Sequence, residues 1–313
     1  MPTSPPHPDR RELTLANDRL RLRITPGLGA SVLSLELRRG ESWLPLLRPS
    51  PASPSRPNEC ASYLLAPYSN RIRDGRFRFE GRTWQLRRRE NHALHGDADH
   101  RPWEVVAVDA GRARLRFDSR CVPDFDFPFP FVVEVSYSLE GLELETALAL
   151  VNTGPERMPA GLGFHPYFCR ALDGGLSEVE LEARLPRLYP GEPPVPMLPT
   201  GPPRPVPPEL DYSRSRAIEA VLDDCFAGWD GRARLLWTRS GVACELRATP
   251  RCRHVVIYSP AGKPFFAFEP VTNANDGFNL RERGDCDDGV VVLAPGETLE
   301  AGMRLSLHQP AGA

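Results

Sequence analysis

The chain has 313 residues, 41% hydrophobic and 26% charged, with a formal net charge of -2. That composition is globular and excludes a disordered chain; the charge leaves no electrostatic footprint for nucleic acid or an anionic membrane. Lys263 is the only lysine, and the arginines are scattered instead of forming a patch.

In chain order, the proline-rich start Met1–Asp9 has no apolar core for a signal peptide, and residues 1–10 are expected to be flexible. Leu33, Leu35 and Leu37 then alternate with polar or small residues, a strand pattern. Residues 45–57 form a proline-rich loop. Three pairs of alternating runs meet at a glycine and read as hairpins: Phe77–Leu86 about Glu80-Gly81, Trp103–Phe117 about Ala110-Gly111, and Val133–Leu148 about Glu140-Gly141.

Short strands are predicted at Val179–Leu185, Leu235–Trp237, Val242–Leu246, Val255–Tyr258, Phe265–Phe268, Val290–Leu293 and Met303–Leu307. Only Arg216–Leu222 reads as helix, for about two turns. Residues 186–208 contain eleven prolines, a density that excludes interior strands and favours an extended connection over the sheet. The fold class is therefore all-β, a sandwich or barrel with very little helix.

The seven cysteines (Cys60, Cys121, Cys169, Cys225, Cys244, Cys252 and Cys286) are odd in number, widely spaced and without a Cys-x-x-Cys. They argue against a disulfide framework and a structural zinc site. No run approaches the roughly 18 apolar residues that span a bilayer. A cytoplasmic protein without metal or organic cofactor is expected.

Five stretches can carry chemistry. They are Tyr68-Ser-Asn70-Arg71-Ile72, Asn91-His-Ala-Leu-His95-Gly96, Gly161-Leu-Gly-Phe-His165-Pro-Tyr-Phe168, Leu222-Asp223-Asp224-Cys-Phe226 and Phe268-Glu269-Pro270. A glutamate ending an apolar strand and two histidines in glycine-flanked turns offer a base and candidate acids for proton transfer near neutral pH. His92, His100 and His254 are expected to be structural or solvated, and Trp103 and Phe278 to pack.

In this order and spacing the five motifs resemble the aldose 1-epimerase (galactose mutarotase) family, over nearly the whole chain from about Leu20. The resemblance implies a single domain over 1–313, a large antiparallel β-sandwich with an open sugar cleft. Motif residues fall on both sides of 186–208, so no domain boundary is placed there. It also implies interconversion of the α and β anomers of free aldoses, such as glucose or galactose, by ring opening and reclosure.

Carried onto this chain, Glu269 resembles the base at the C1 hydroxyl and His165 the acid at the ring oxygen. His95 would support the sugar near that oxygen. Arg71 and Asp223 would bind hydroxyls, and Asn70 would hold the Arg71 loop. The family pattern often has a second glycine where this chain has Asp97, which could itself face the sugar. Activity would fall at low pH as Glu269 protonates and at high pH as the acid loses its proton.

The resemblance implies a monosaccharide as the partner and either a monomer or a homodimer. The alternatives are a non-catalytic carbohydrate-binding module, a hexose-6-phosphate mutarotase and a glycoside hydrolase. Binding alone needs no acid–base pair, a phosphate site calls for clustered cations, and glycoside hydrolysis usually needs two flanking carboxylates.

Overall fold

A computed structural model describes residues 12–309 apart from 89, 176, 193, 194, 219 and 220. The amino-terminal residues expected to be flexible lie outside the described residues.

Alternation builds the elements. Glu143–Asn152 buries every second side chain, and its partner Phe131–Glu140 faces it residue for residue from Phe131↔Asn152 to Glu140↔Glu143. Among the described residues the strands form an eleven-stranded and a nine-stranded antiparallel sheet, with three further two-stranded pairs. The two large sheets pack face to face over one apolar core that holds Tyr137, Phe131, Phe164, Trp237 and Phe268. Two polar tethers cross between them: the Trp237 indole N–H donates to the Cys169 carbonyl at 2.9 Å, and the Tyr137 hydroxyl donates to the Ala30 carbonyl at 2.8 Å. The all-β sandwich expected from the sequence is the observed architecture.

All three hairpins form. The first turns at Glu80 and Gly81, both with positive φ (48° and 76°), the backbone that a two-residue hairpin loop demands. The helix expected at Arg216–Leu222 does not. Arg216–Ala217 pairs with Glu180 and Leu181, while Leu222 opens a strand, Leu222–Ala227, that pairs throughout with His254–Ser259. Leu222 and Phe226 enter the inter-sheet core while Cys225 and Ala227 join the apolar cluster of the opposite face. That period-2 pattern begins where the helical window ended, so sheet pairing overrides the local helix propensity. Residues 219 and 220 lie outside the described residues.

The α-helix found is Gly277–Glu282, which packs Phe278 against Tyr68, Phe77 and Phe127. The proline-rich stretch also departs from expectation. Arg187–Leu188 sits inside the larger sheet between Leu222–Ala227 and Arg204–Pro205, a two-residue strand free of proline in an otherwise extended segment.

Five neighbouring strands of the larger sheet position the site: Ser62–Leu65, Gly163–Cys169, Phe265–Val271, His254–Ser259 and Leu222–Ala227, side by side in that order. Phe164, Phe168, Phe266, Phe268, Val255 and Ile257 point into the core. The alternate residues, on the outward face, include Tyr63, Tyr167, Ala267, Val256 and Tyr258. His165 and Glu269 share that parity.

Candidate active site

Glu269 and His165 meet on this outward face. Strand register brings His165 opposite Tyr63 and Glu269 opposite Val256. His165 Nε2 and Glu269 Oε1 are 3.1 Å apart, and both residues are almost completely buried. The other atom of each pair, His165 Nδ1 and Glu269 Oε2, has no hydrogen-bond partner. Buried polar atoms left unpaired are costly and rare. Tyr63 stacks on the imidazole with ring centroids 4.4 Å apart, and Tyr167 flanks it at 4.5 Å.

Burial sets the protonation of this pair. It drives Glu269 well above the usual carboxylate range, with Asp223 adding repulsion and Arg71 opposing. It pushes His165 down to about 3, with Arg48 acting in the same direction. Both shifts act against charge on the pair and favour a carboxyl beside a neutral imidazole.

Arg71 reaches the same face from the loop after Ser62–Leu65. Its Nη1 donates to Asn70 Oδ1 at 3.1 Å and its Nε to Asn91 Oδ1 at 3.2 Å, while Nη2 lies 4.0 Å from Asp223 Oδ2. Asp223 lies opposite Tyr258 in the sheet, on the face that carries Glu269, and Asp224 takes the opposite parity. Burial raises Asp223, and Arg71 partly offsets that.

His95 is joined to Asn70 by a reciprocal pair of bonds. The Asn70 backbone N–H donates to His95 Nδ1 at 3.1 Å, and the His95 N–H donates to the Asn70 carbonyl at 2.7 Å. A backbone N–H can only donate, so the neutral ring carries its proton on Nε2. Burial, with His165 and Arg71, keeps His95 well below the ordinary histidine value. Its ring meets His165 edge-on, with centroids 5.5 Å apart. The result is a neutral donor beside the Glu269–His165 pair.

The loop that carries His95 is unusual. Asn91, His92, Ala93 and His95 all have φ between 50° and 60°, a region that non-glycine residues rarely occupy. Bonds over-determine it: the Tyr68 hydroxyl donates to the Ala93 carbonyl at 2.7 Å and the Ile72 N–H to the His92 carbonyl at 2.8 Å. Gly96 ends the loop at φ 80°, where a Cβ would stand 2.8 Å from the Ala66 carbonyl oxygen. That close approach explains the glycine of the Leu-His-Gly motif.

Asp97 does not face the site. Its carboxylate is held by Arg88 Nη1 at 2.8 Å and by Arg101 at 2.6 and 2.9 Å, so it clamps the loop from behind. At this position Asp97 serves as an ion-pair anchor. Trp103 is buried in the core and Phe278 packs, both as expected. His254 is buried against the Asp287 and Thr272 carbonyls, and His100 lies beside Arg88 and Asp99.

Tyr63 and Arg48 lie outside the five motifs, and Asn91 and Tyr167 lie inside them without having been given a role. Tyr167 was within reach of sequence reasoning, because it follows His165 at the two-residue strand period. Among the described residues, no group of three or more His, Cys, Asp and Glu is placed to hold a metal ion.

Residues 11–306 match the model of the family described as aldose 1-epimerase. The chain belongs to the aldose 1-epimerase family. It is 28% identical over 281 residues to YphB, an uncharacterized protein of Escherichia coli K12, covering 84% of this chain and 89% of that one. The crystal structure of a candidate aldose 1-epimerase from E. coli K12 superposes with a TM-score of 0.82 at 26% identity, over 96% of this chain and 99% of that one. The galactose 1-epimerase of Lactobacillus acidophilus NCFM has the same fold, with a TM-score of 0.76 at 17% identity and 98% of each chain covered.

The Asp97 clamp gives a stability prediction. Asp97→Ala leaves Arg88 and Arg101 sharing no carboxylate at that position. Because both guanidiniums are partly solvated, the expected loss is about 1–3 kcal/mol. Asp124→Ala, which removes the exposed partner of Arg101, should cost less than about 1 kcal/mol. Urea unfolding measures both; equal effects would show that Asp97 is no anchor.

Proposed function

We propose that this protein is an aldose 1-epimerase that interconverts the α and β anomers of free aldoses, with Glu269 and His165 moving the protons. The observation that carries this reading is the 3.1 Å approach of two buried titratable groups on the outward face of the sheet, each with an unpaired polar atom. A module that only binds sugar has no use for a desolvated acid–base pair, whose burial costs stability. Family membership supplies the reaction class.

Ring opening starts from ionised Glu269 and protonated His165. Glu269 takes the proton of the C1 hydroxyl, the bond between C1 and the ring oxygen breaks, and His165 protonates that oxygen as it takes the electron pair. Rotation about C1–C2 turns the aldehyde. The C5 hydroxyl then attacks the other face, its proton goes to His165, and Glu269 returns a proton to O1. His95 Nε2–H supports the ring oxygen, while Arg71 and Asp223 hold hydroxyls and Asn70 holds Arg71.

The proton count is the same at both ends, because the pair always holds one proton when sugar is closed. What changes is its location. Burial favours the proton on Glu269 in the free protein, so ring opening uses the less populated arrangement. This reverses the pH limbs expected from motifs alone. A second proton joins the pair only as pH falls towards about 3, when His165 charges. The single proton is lost as pH rises through the raised value of Glu269.

Polarimetry of freshly dissolved α-D-glucose and α-D-galactose tests the activity; unchanged relaxation across an aldose panel would refute it. Glu269→Gln and His165→Asn should each lose about 10²–10⁴-fold while circular dichroism stays unchanged. A Glu269→Gln protein with full rate would remove Glu269 from its role. In wild type the rate should hold on acidification through the ordinary carboxylate value of about 4.3, and fall on the alkaline side. A fall centred near that value would restore the simpler assignment.

A further inference from the structure

The geometry points to an acidic sugar as the preferred substrate, its carboxylate held by Arg48 at the C6 end of the ring. The inference rests on the epimerase reading, which orients the sugar. If Glu269 faces O1 and His165 faces the ring oxygen, C5 and its exocyclic carbon lie beyond that oxygen, on the His165 side. The C2 and C3 hydroxyls then lie towards Asp223 and Arg71, on the other side of Glu269. Strand order supports this split, because Gly163–Cys169 borders Phe265–Val271 on one side, while Leu222–Ala227 lies on the other side beyond His254–Ser259.

On the His165 side the next outward residue is Tyr167, and a guanidinium covers it. The Arg48 guanidinium carbon lies 3.8 Å from the Tyr167 ring centroid and 4.4 Å from that of Phe265. The Arg48 backbone N–H donates to the Tyr167 carbonyl at 2.7 Å, and its Nη2 donates to the carbonyls of Asn58 and Cys60 at 2.7 and 2.6 Å. These bonds hold the side chain in place. Its Nε and Nη1 have no protein acceptor and are not sealed from solvent.

Arg48 is half-buried and, among the described residues, no carboxylate lies within ion-pair distance of it. The other cations near the site do not share this state: Arg71 has Asp223, while Arg88 and Arg101 share Asp97. A guanidinium cannot shed its proton, so the buried part of its charge carries a cost that a bound anion would offset. Ring contacts and carbonyls offset only part of that cost. A single guanidinium with its remaining donors open matches one carboxylate. A phosphate dianion calls for further cations or a backbone nest. The substrate class is therefore a hexuronic acid with a free anomeric centre.

A rival role for Arg48 is to strap the 45–60 loop over the aromatic face, and the experiment separates the two. Anomeric exchange is measured by NMR for the full chain with D-glucose, D-galactose, D-glucuronate, D-galacturonate and D-glucose 6-phosphate. The uronates should exceed their parent hexoses in kcat/KM by about tenfold, the scale of one charge-assisted contact, and salt should erode the advantage. Arg48→Gln, which keeps an amide donor without the charge, should lower kcat/KM for uronates about tenfold more than for hexoses, chiefly through KM.

Faster turnover of glucose than of glucuronate by wild type overturns the inference and leaves the epimerase reading standing. So does an equal loss on all sugars in Arg48→Gln, the signature of a strap. A preference for the 6-phosphate over both uronates overturns the carboxylate assignment. Acceleration of no sugar at all refutes the epimerase reading, and this inference with it.

Discussion

Two groups that water would charge are kept out of water within 3.1 Å of each other, and much of this molecule serves to hold them there. Desolvation drives Glu269 up and His165 down, so the pair that in water would be a carboxylate and a partly protonated imidazole is biased towards a carboxyl and a neutral ring. Such a pair passes a proton in either direction without creating a net charge. That would suit the proposed interconversion of anomers, whose two ends differ only in the configuration at one carbon.

Placing the pair depends on β-sheet parity. Gly163–Cys169 and Phe265–Val271 are hydrogen-bonded neighbours, and each must send large aromatic residues into the core at one parity. The intervening positions are thereby forced outward, where His165 and Glu269 stand among Tyr63, Tyr167 and Val256. A one-residue slip in either strand would bury the chemistry in the sandwich and expose phenylalanine. The remaining groups come on loops, and those loops are bonded to one another: Asn70 to His95, Arg71 to Asn91, and Asp97 to Arg88 and Arg101. Strained backbone from Asn91 to His95 persists because these bonds leave it no alternative.

Much of this was legible in the chain. Alternation with glycine turns gave the hairpins and the all-β class, because period 2 is a local property that pairing preserves. The sequence motifs named the residues that meet on the outward face, although no spacing shows that Glu269 and His165 touch. The reading at Arg216–Leu222 failed because a short window rich in Ala and Glu has helix propensity, while the partner strand that decides the matter lies at His254–Ser259. The role of Asp97 stayed open for a related reason: its two arginine partners are loop contacts that no period encodes. Arg48 was invisible to motif reasoning because it is one of many arginines, and only its position over Tyr167 sets it apart.

Proton location can be read directly from the imidazole nitrogens of His165. In 15N-labelled wild-type protein, long-range 1H–15N correlations followed during acidification should show a neutral ring until pH approaches about 3. A His165 ring that charges near the ordinary histidine value of about 6.5 would contradict the account, because the pair would then not be governed by its burial.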